Sequence, residues 1–378
     1  MKKAVTQKDI AKALGLSAST VALVVGGANS PLRKNLSKAT IRRVERKAKE
    51  MGYEPNRSAQ IIRRGRSNLI IFLYMAGDAE WVSRQAYQIG RIVHEKGYDY
   101  QTVNAYWWVR DGAGIINQLM SLRPEGIIAA GSMQTQMDFS PLKRAGIPVV
   151  AINTDIPNVS QVRHGVRAAI RELTLAAIAQ GRRRPGLLIN SIAPQERLWQ
   201  TNERIAGFQE AIQDAGLGPI SEIELRSRKK PPLIDGPTIF HATLKSKTSF
   251  ASFEEGNEAA SLIGTTSDAL ICTNDFWALG AMTNYSHSPN TVPGEVMVSG
   301  FDNIIATTLG AIRLTTVEHP TEAMCEEAMR LLFEEMANPE QEPSQLEFPC
   351  TVIWRESLPR PSLESPTLAH SALSESQQ

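Results

Sequence analysis

Apolar positions between residues 7 and 52 recur at the spacing of short amphipathic helices. With Gln7 as the first position of a helix-turn-helix frame, Ile10, Leu14, Leu16, Val21 and Val24 share one apolar face. Ala11 is the small residue where the two helices cross, and Gly15 takes the left-handed turn between them. Ser17 is placed to cap the second helix. A third helix opens at Ser37 in LSKATIRRVERKAKEMGY, with Ile41, Val44, Ala48 and Met51 at helical spacing and Gly52 as its stop. Pro55 then begins a short basic stretch, Asn56 to Arg64, that runs directly into an apolar strand.

Beyond it the period changes. Strand candidates NLIIFLYM, YDYQTVNA, EGIIAAG, IPVVAIN, PGLLINS, DALICTND and VMVSGFD are separated by segments of helical period such as RQAYQIGRIVHEKGY and NERIAGFQEAIQDAG. Alternating strands and helices predict parallel sheets covered on both faces. About 290 residues exceed what one such sheet organises, so two lobes with a cleft between them are expected.

Charge divides the chain where the pattern does. Residues 1 to 66 hold 16 Lys/Arg and 4 Asp/Glu, and the remainder holds 25 and 35. A basic head on an acidic body suits a polyanion-binding module joined to a second domain, although a solvated lysine-rich helix would give the same count. No apolar run reaches membrane-spanning length, and charges interrupt the N-terminal MKKAVTQKDIAKALGL, so no membrane partner and a cytoplasmic location are expected. Cys272, Cys325 and Cys350 lack paired spacing and the histidines are scattered, so neither a disulfide framework nor a metal site is indicated, and no cofactor is expected.

The order of helix-turn-helix, third helix, PNR-A hinge and strand resembles the lactose-repressor (LacI/GalR) family of bacterial transcription regulators. VTQKDIAKALGLSASTV and GYEPNRSAQIIRRGRS carry the resemblance, which continues in motifs along nearly the whole chain. It implies an all-α helix-turn-helix head and an α/β two-lobed body of the periplasmic-binding-protein type. It also implies a homodimer on a palindromic operator of double-stranded DNA, nucleoid-associated, whose DNA affinity is set by a small-molecule effector, with a sugar favoured. The corresponding boundaries are 1–54 for the head, 55–65 for a hinge helix and 66–360 for the body. One lobe takes about 66–162 and 291–319 and the other about 163–290 and 320–356, with a disordered tail at 361–378. Crossings between lobes are expected near Val162, Pro289 to Pro293, and Glu318 to Pro320.

The resemblance also assigns residues. Thr6, Ser17 and Thr20 would contact phosphate, while Ala18, Ser19 and Leu23 face base edges. In the hinge Arg57, Ala59, Ile62 and Arg63 would contact DNA, with Ile62 as the wedge into the minor groove, although Ile61 and Ile62 could instead pack on the body. A methyl contact and one hydroxyl are a weak base-reading set, so specificity is expected to lean on DNA deformability and half-site spacing. The connection NSPLRKNLS looks longer than the family pattern. In the body Trp81, Asn153, Arg204, Asn274 and Asp302 would face the effector. Each has a structural alternative: a helix cap for Asn274, an ion pair between Arg204 and Asp302, and core packing for Trp81. Trp107 and Trp108 would border the pocket or the dimer face.

Catalysis is not expected. The chain has no GxxxxGK[ST], GxSxG or GxGxxG, and GAGIIN at 112–117 lacks the last glycine. The alternatives to a regulator are a solute-binding or sensor protein and a sugar-processing enzyme, neither of which needs the basic head.

Overall fold

The computed structural model describes residues 5–25, 35–54, 67–75, 80–105, 112–131, 137–191, 199–227, 229–243, 251–287 and 291–362. The hinge residues Arg57, Ala59, Ile62 and Arg63, most of the NSPLRKNLS connection, Trp107, Trp108 and the tail after 362 lie outside them. The chain divides into two compact units, Met1–Asn68 and Leu69–Gln378.

Among its described residues the first unit holds three helices, α1 (Gln7–Leu14), α2 (Ala18–Val25) and α3 (Lys38–Glu50). Ile10, Ala11, Val21, Val24, Val44 and Ala48 form its core. Gly15 adopts φ 62°, ψ 33° and ends α1, a left-handed conformation open to glycine at little cost. Ser37 caps α3 by accepting from the Thr40 amide at 3.1 Å, and Gly52 (φ 67°) follows its end.

The second unit holds two parallel sheets. The first lobe contains β1 (Leu69–Met75), α4 (Glu80–Glu95), β2 (Asp99–Asn104), α5 (Gly112–Leu122), β3 (Gly126–Gly131), α6 (Ser140–Arg144), β4 (Val149–Ile152) and β5 (Ser160–Gly165). The second contains α7 (Val166–Ala179), β6 (Pro185–Asn190), α8 (Trp199–Asp214), β7 (Ser221–Leu225), β8 (Thr238–Ala242), α9 (Ala251–Ile263), β9 (Ala269–Cys272), α10 (Asp275–Ser286) and β10 (Met297–Ser299). The chain continues through β11 (Thr316–Glu318), α11 (Thr321–Ala337), β12 (Gln345–Pro349) and β13 (Thr351–Ile353). Sheet orders are β12-β5-β4-β3-β1-β2 and β10-β9-β6-β8-β7, and β11 pairs antiparallel with β13. The central strands of each sheet are buried on both faces, which is why they read as continuous apolar runs. Helices α9 and α10 touch backbone to backbone: a Cβ on Gly280 would lie 2.1 Å from the Phe253 carbonyl oxygen.

This topology corrects the lobe segments expected from the sequence. Residues 291–319 do not return to the first lobe, because β10 extends the second sheet beside β9. Residues 320–349 do not belong to the second lobe: Met324, Cys325, Ala328, Met329, Leu331 and Leu332 of α11 pack into the first-lobe core, and β12 pairs with β5. The three crossings therefore follow β5 at Gly165, β11 at Glu318 and β12 at Pro349. Among the described residues no crossing occurs near Pro289 to Pro293: α10 and β10 lie in the same lobe. Residues 291–296 lead into β10, and their turn is closed by the Glu295 and Val296 amides on the Thr291 carbonyl.

Candidate functional site

In the helical unit, local hydroxyl chemistry organises the start of each helix. Thr6 forms a capping box: its Oγ1 accepts from the Asp9 amide at 3.3 Å, and Asp9 Oδ2 accepts from the Thr6 amide at 2.8 Å. Ser17 Oγ accepts from the Thr20 amide at 3.0 Å and lies 2.8 Å from Ser19 Oγ and 2.7 Å from Thr20 Oγ1. The N-terminus of α2 thus gathers three hydroxyls on the positive end of a helix, a suitable seat for a phosphate. Ala18 and Ser19 are exposed, whereas Thr20 and Leu23 are half-buried. Arg42, Arg43, Arg46 and Lys49 of α3 are exposed, and Arg43 donates to the Leu14 carbonyl at 3.1 Å, tying α3 to the end of α1.

In the larger unit, the crossings bring polar side chains from both lobes together. Asn153 has φ 52°, follows β4, and accepts through Oδ1 from the His164 amide at 3.0 Å. Gln200, at the start of α8, donates to the Asn153 carbonyl at 2.7 Å. The His164 and His319 rings stack at 4.5 Å with their Nδ1 atoms in hydrogen-bond contact, and His319 Nε2 meets Asp302 Oδ1 at 2.8 Å. Phe301 meets His164 and His319 edge-on at 6.0 and 5.2 Å, and the Arg204 guanidinium lies 4.7 Å from its ring centroid. Trp199 sits edge-on to His164 at 6.1 Å. Asn153, Arg204 and Asp302, assigned from sequence motifs, therefore belong to one cluster with His164, Trp199, Gln200, Phe301 and His319, which the sequence did not single out.

Trp81 and Asn274 take the structural roles weighed for them. Trp81 packs, partly buried, on the first-lobe core. Asn274 is the N-cap of α10, accepting from the Trp277 amide at 2.8 Å, so its acceptor oxygen is already engaged. Its neighbour Asp275 is buried beneath the site, accepting from Thr316 Oγ1 at 2.5 Å and from the Ile304 amide at 2.9 Å. Burial, reinforced by the charge of Asp302, pushes its carboxyl well above the usual range. A Cβ at Gly300 would lie 2.2 Å from Asp275 Oδ1, so only glycine fits there.

The cluster is electrostatically unfinished. Burial, with the adjacent His319 and Arg204, holds His164 well below the ordinary histidine range. Burial also lowers Arg204, opposed by Asp302, yet no hydrogen bond joins these two side chains. Trp199 Nε1, Gln200 Oε1, Arg204 Nε and His164 Nε2 are all buried without a partner. Buried polar groups are ordinarily satisfied by protein or ordered water, so four orphans in one place concentrate unmet hydrogen-bonding capacity there. His319 also lines an open groove of about 940 Å³ with Glu80, Arg84, Tyr87 and Glu318. Among the described residues one group could hold a metal, namely His164, His319 and Cys350. Burial pushes the Cys350 thiol up to about 12, against the pull of Arg204.

Two family models match this chain. "Periplasmic binding proteins and sugar binding domain of LacI family" matches residues 72–231, and "Periplasmic binding protein-like domain" matches residues 175–358. The transcriptional regulator GalR of Escherichia coli is 24% identical over 366 residues, covering 95% of this chain and 97% of its own. The lac repressor dimer bound to operator and the anti-inducer ONPF superimposes with a TM-score of 0.70 at 20% identity, covering 94% of this chain and all of that one. The regulator CelR in complex with cellobiose does so with a TM-score of 0.62 at 22% identity, covering 93% and 99%. Among the described residues no helix is long and apolar enough to cross a membrane. Helix-turn-helix frame, two-lobed body and near end-to-end likeness to such regulators converge: the chain belongs to the LacI/GalR family of transcriptional regulators.

Proposed function

We propose that this chain is a DNA-binding transcriptional regulator, a repressor by the likeness of its relatives. It acts as a homodimer on a two-fold operator, and a sugar or sugar derivative held between the lobes sets its DNA affinity. The observation that carries the effector half is the set of unpartnered polar atoms around Asn153, Arg204 and Asp302. Trp199 Nε1 and Arg204 Nε are donors, whereas Gln200 Oε1 is an acceptor. A polyhydroxylated ligand presents both complements at once, and Trp199 and Phe301 supply apolar walls for a ring. CelR, a relative of like fold, is known with cellobiose.

On the DNA side, the cap hydroxyls of Thr6, Ser17 and Thr20 and the basic residues of α3 would hold phosphates. Ala18, Ser19 and Leu23 would face base edges, and Arg57, Ala59, Ile62 and Arg63 would enter the minor groove. Dimer formation is supported by apolar side chains left in the open: Tyr87 is 70% exposed, Ile305 66% and Leu309 76%. Effector and operator then change each other's affinity by the same factor. A thermal-shift panel of carbohydrates and nucleobases tests the effector half. A ligand at about 100 times its Kd raises stability by about 2.7 kcal/mol. The proposal requires such a shift from a carbohydrate and its loss in Arg204→Ala. A panel in which only nucleobases act would overturn the sugar assignment, and a response unchanged in Arg204→Ala would overturn the site.

A further inference from the structure

Each of the three crossings between the lobes delivers one side chain that can ligate a metal. His164 lies at the end of β5 beside the first, His319 follows β11 at the second, and Cys350 sits between β12 and β13 at the third. One donor atom from each, a ring nitrogen or the thiol sulfur, lies within 4.8 Å of the others. We propose that His164, His319 and Cys350 form a binding site for a divalent cation of the zinc class, tying the three crossings together. This inference does not depend on the effector being a sugar.

The donor set fits the ion. Two imidazoles and a thiolate are the borderline-soft ligands that tetrahedral Zn²⁺ takes, with Zn–N about 2.0–2.1 Å and Zn–S about 2.3 Å. Those lengths imply donor–donor separations of roughly 3.3–3.6 Å; the three donor atoms already lie within 4.8 Å of one another, and the two facing Nδ1 atoms would move apart to admit the ion. The outer contacts are those of a metal centre as well. His319 presents Nε2 to Asp302 at 2.8 Å, leaving Nδ1 for the cation, and such a carboxylate fixes ring orientation and raises ligand basicity.

His164 supplies the independent sign of a missing partner. It is 4% exposed, and its ring meets no hydrogen-bond partner other than His319. Its Nδ1 faces His319 Nδ1, two nitrogens that can share a proton or a cation but cannot both be protonated there without repulsion. When a cation binds, each imidazole stays neutral with one proton and the thiol gives its proton to solvent, so one proton leaves per ion bound. Three protein ligands leave a fourth position for water or an effector oxygen. Because the ligands come one from each crossing, an occupied site would restrain the movement of one lobe against the other.

The test uses the full-length, untagged chain stripped of metal by a chelator and titrated with Co²⁺. One equivalent per chain is expected, with a thiolate-to-cobalt charge-transfer band and the visible bands of tetrahedral cobalt, both displaced by Zn²⁺. Cys350→Ser removes the charge-transfer band and Cys325→Ser, in the first-lobe core, leaves it intact. Asp302→Asn weakens affinity by roughly 10–100-fold. A chain that shows no charge-transfer band at one equivalent, or a band that survives Cys350→Ser, overturns the proposal. Should Cys350→Ser not fold, alkylation of the wild-type chain decides: Zn²⁺ must protect Cys350 from iodoacetamide, and equal labelling with and without Zn²⁺ rejects the site. The readout involves neither DNA nor carbohydrate, so its failure leaves the effector assignment standing, and the reverse holds too.

Discussion

Replacing Arg204 with methionine separates a side chain held for a ligand from one held for the fold. The side chain is half-buried, its guanidinium lies 4.7 Å from the Phe301 ring centroid, and its Nε is buried without a partner. Taking a cation out of water costs several kcal/mol. Stacking on an aromatic face returns about 2 kcal/mol when desolvated, and attraction to Asp302, without a direct hydrogen bond, returns a further part. Methionine keeps the length and the apolar stem and removes the desolvation cost. The variant body is therefore expected to lie within about 1 kcal/mol of wild type, or above it, a shift of roughly 2–4 °C in Tm at most. Removing one partner of a true buried ion pair costs about 3–5 kcal/mol, which would lower Tm by roughly 6–20 °C. Differential scanning fluorimetry of both chains, with and without the carbohydrate that shifts wild type, reads both consequences. A fall of that larger size, or a carbohydrate shift retained in the variant, would refute the view that Arg204 is kept for the ligand.

Ser17→Ala removes the acceptor for the Thr20 amide; it should lower the stability of the helical unit by about 1 kcal/mol and weaken DNA binding, and an unchanged melting curve would show that the cap contributes nothing. Asp275 is raised by burial, so its contribution is fully present below the ordinary aspartate range and is lost as pH rises through the folded value. Asp275→Asn should therefore gain on wild type by up to about 1.4 kcal/mol per pH unit in that window, and parallel stability–pH curves from denaturant titrations would contradict this. Ile62→Gly, in the hinge outside the described residues, should cut specific operator binding far more than non-specific binding. Gel shifts with matched and scrambled duplexes measure the ratio, and equal losses would remove Ile62 from the minor groove.

What the sequence made legible was local. Gly15, Ser17 and Ser37 act within a few residues of themselves, so turn and cap chemistry could be read directly. Strands β1, β3, β4, β6, β9 and β10 were legible because burial on both faces makes them continuous apolar runs, whereas β7 and β8 were not singled out. Strands β5, reading SQVRHG, and β12, reading QLEFP, carry too many polar residues to stand out. Their pairing joins residues far apart in the chain, as Gln161 with Gln345, which no local pattern encodes. For the same reason the last two lobe segments were exchanged: the Pro-rich stretch before β10 has the composition of a linker but stays within one lobe. Motifs singled out Asn153, Arg204 and Asp302, which the fold brings into one cluster, whereas Asn274 is the cap its position before α10 allows. His164, His319 and Cys350 lie 155 and 31 residues apart in the chain and meet only because three crossings converge. Scattered spacing therefore concealed the group that the fold assembles.

A regulator of the kind proposed couples a metabolite bound in the body to the grip of the head on DNA. Fluorescence anisotropy of the full-length chain against duplexes drawn from its own chromosome, at physiological salt and with or without the carbohydrate that shifts its melting, tests this most directly. The account predicts a palindromic site bound with Kd of about 10 nM or tighter, at least about 1,000-fold above scrambled DNA, and a carbohydrate that moves this affinity by about 5- to 150-fold. A chain that binds all duplexes alike, or whose specific affinity is the same with the carbohydrate present and absent, would contradict it.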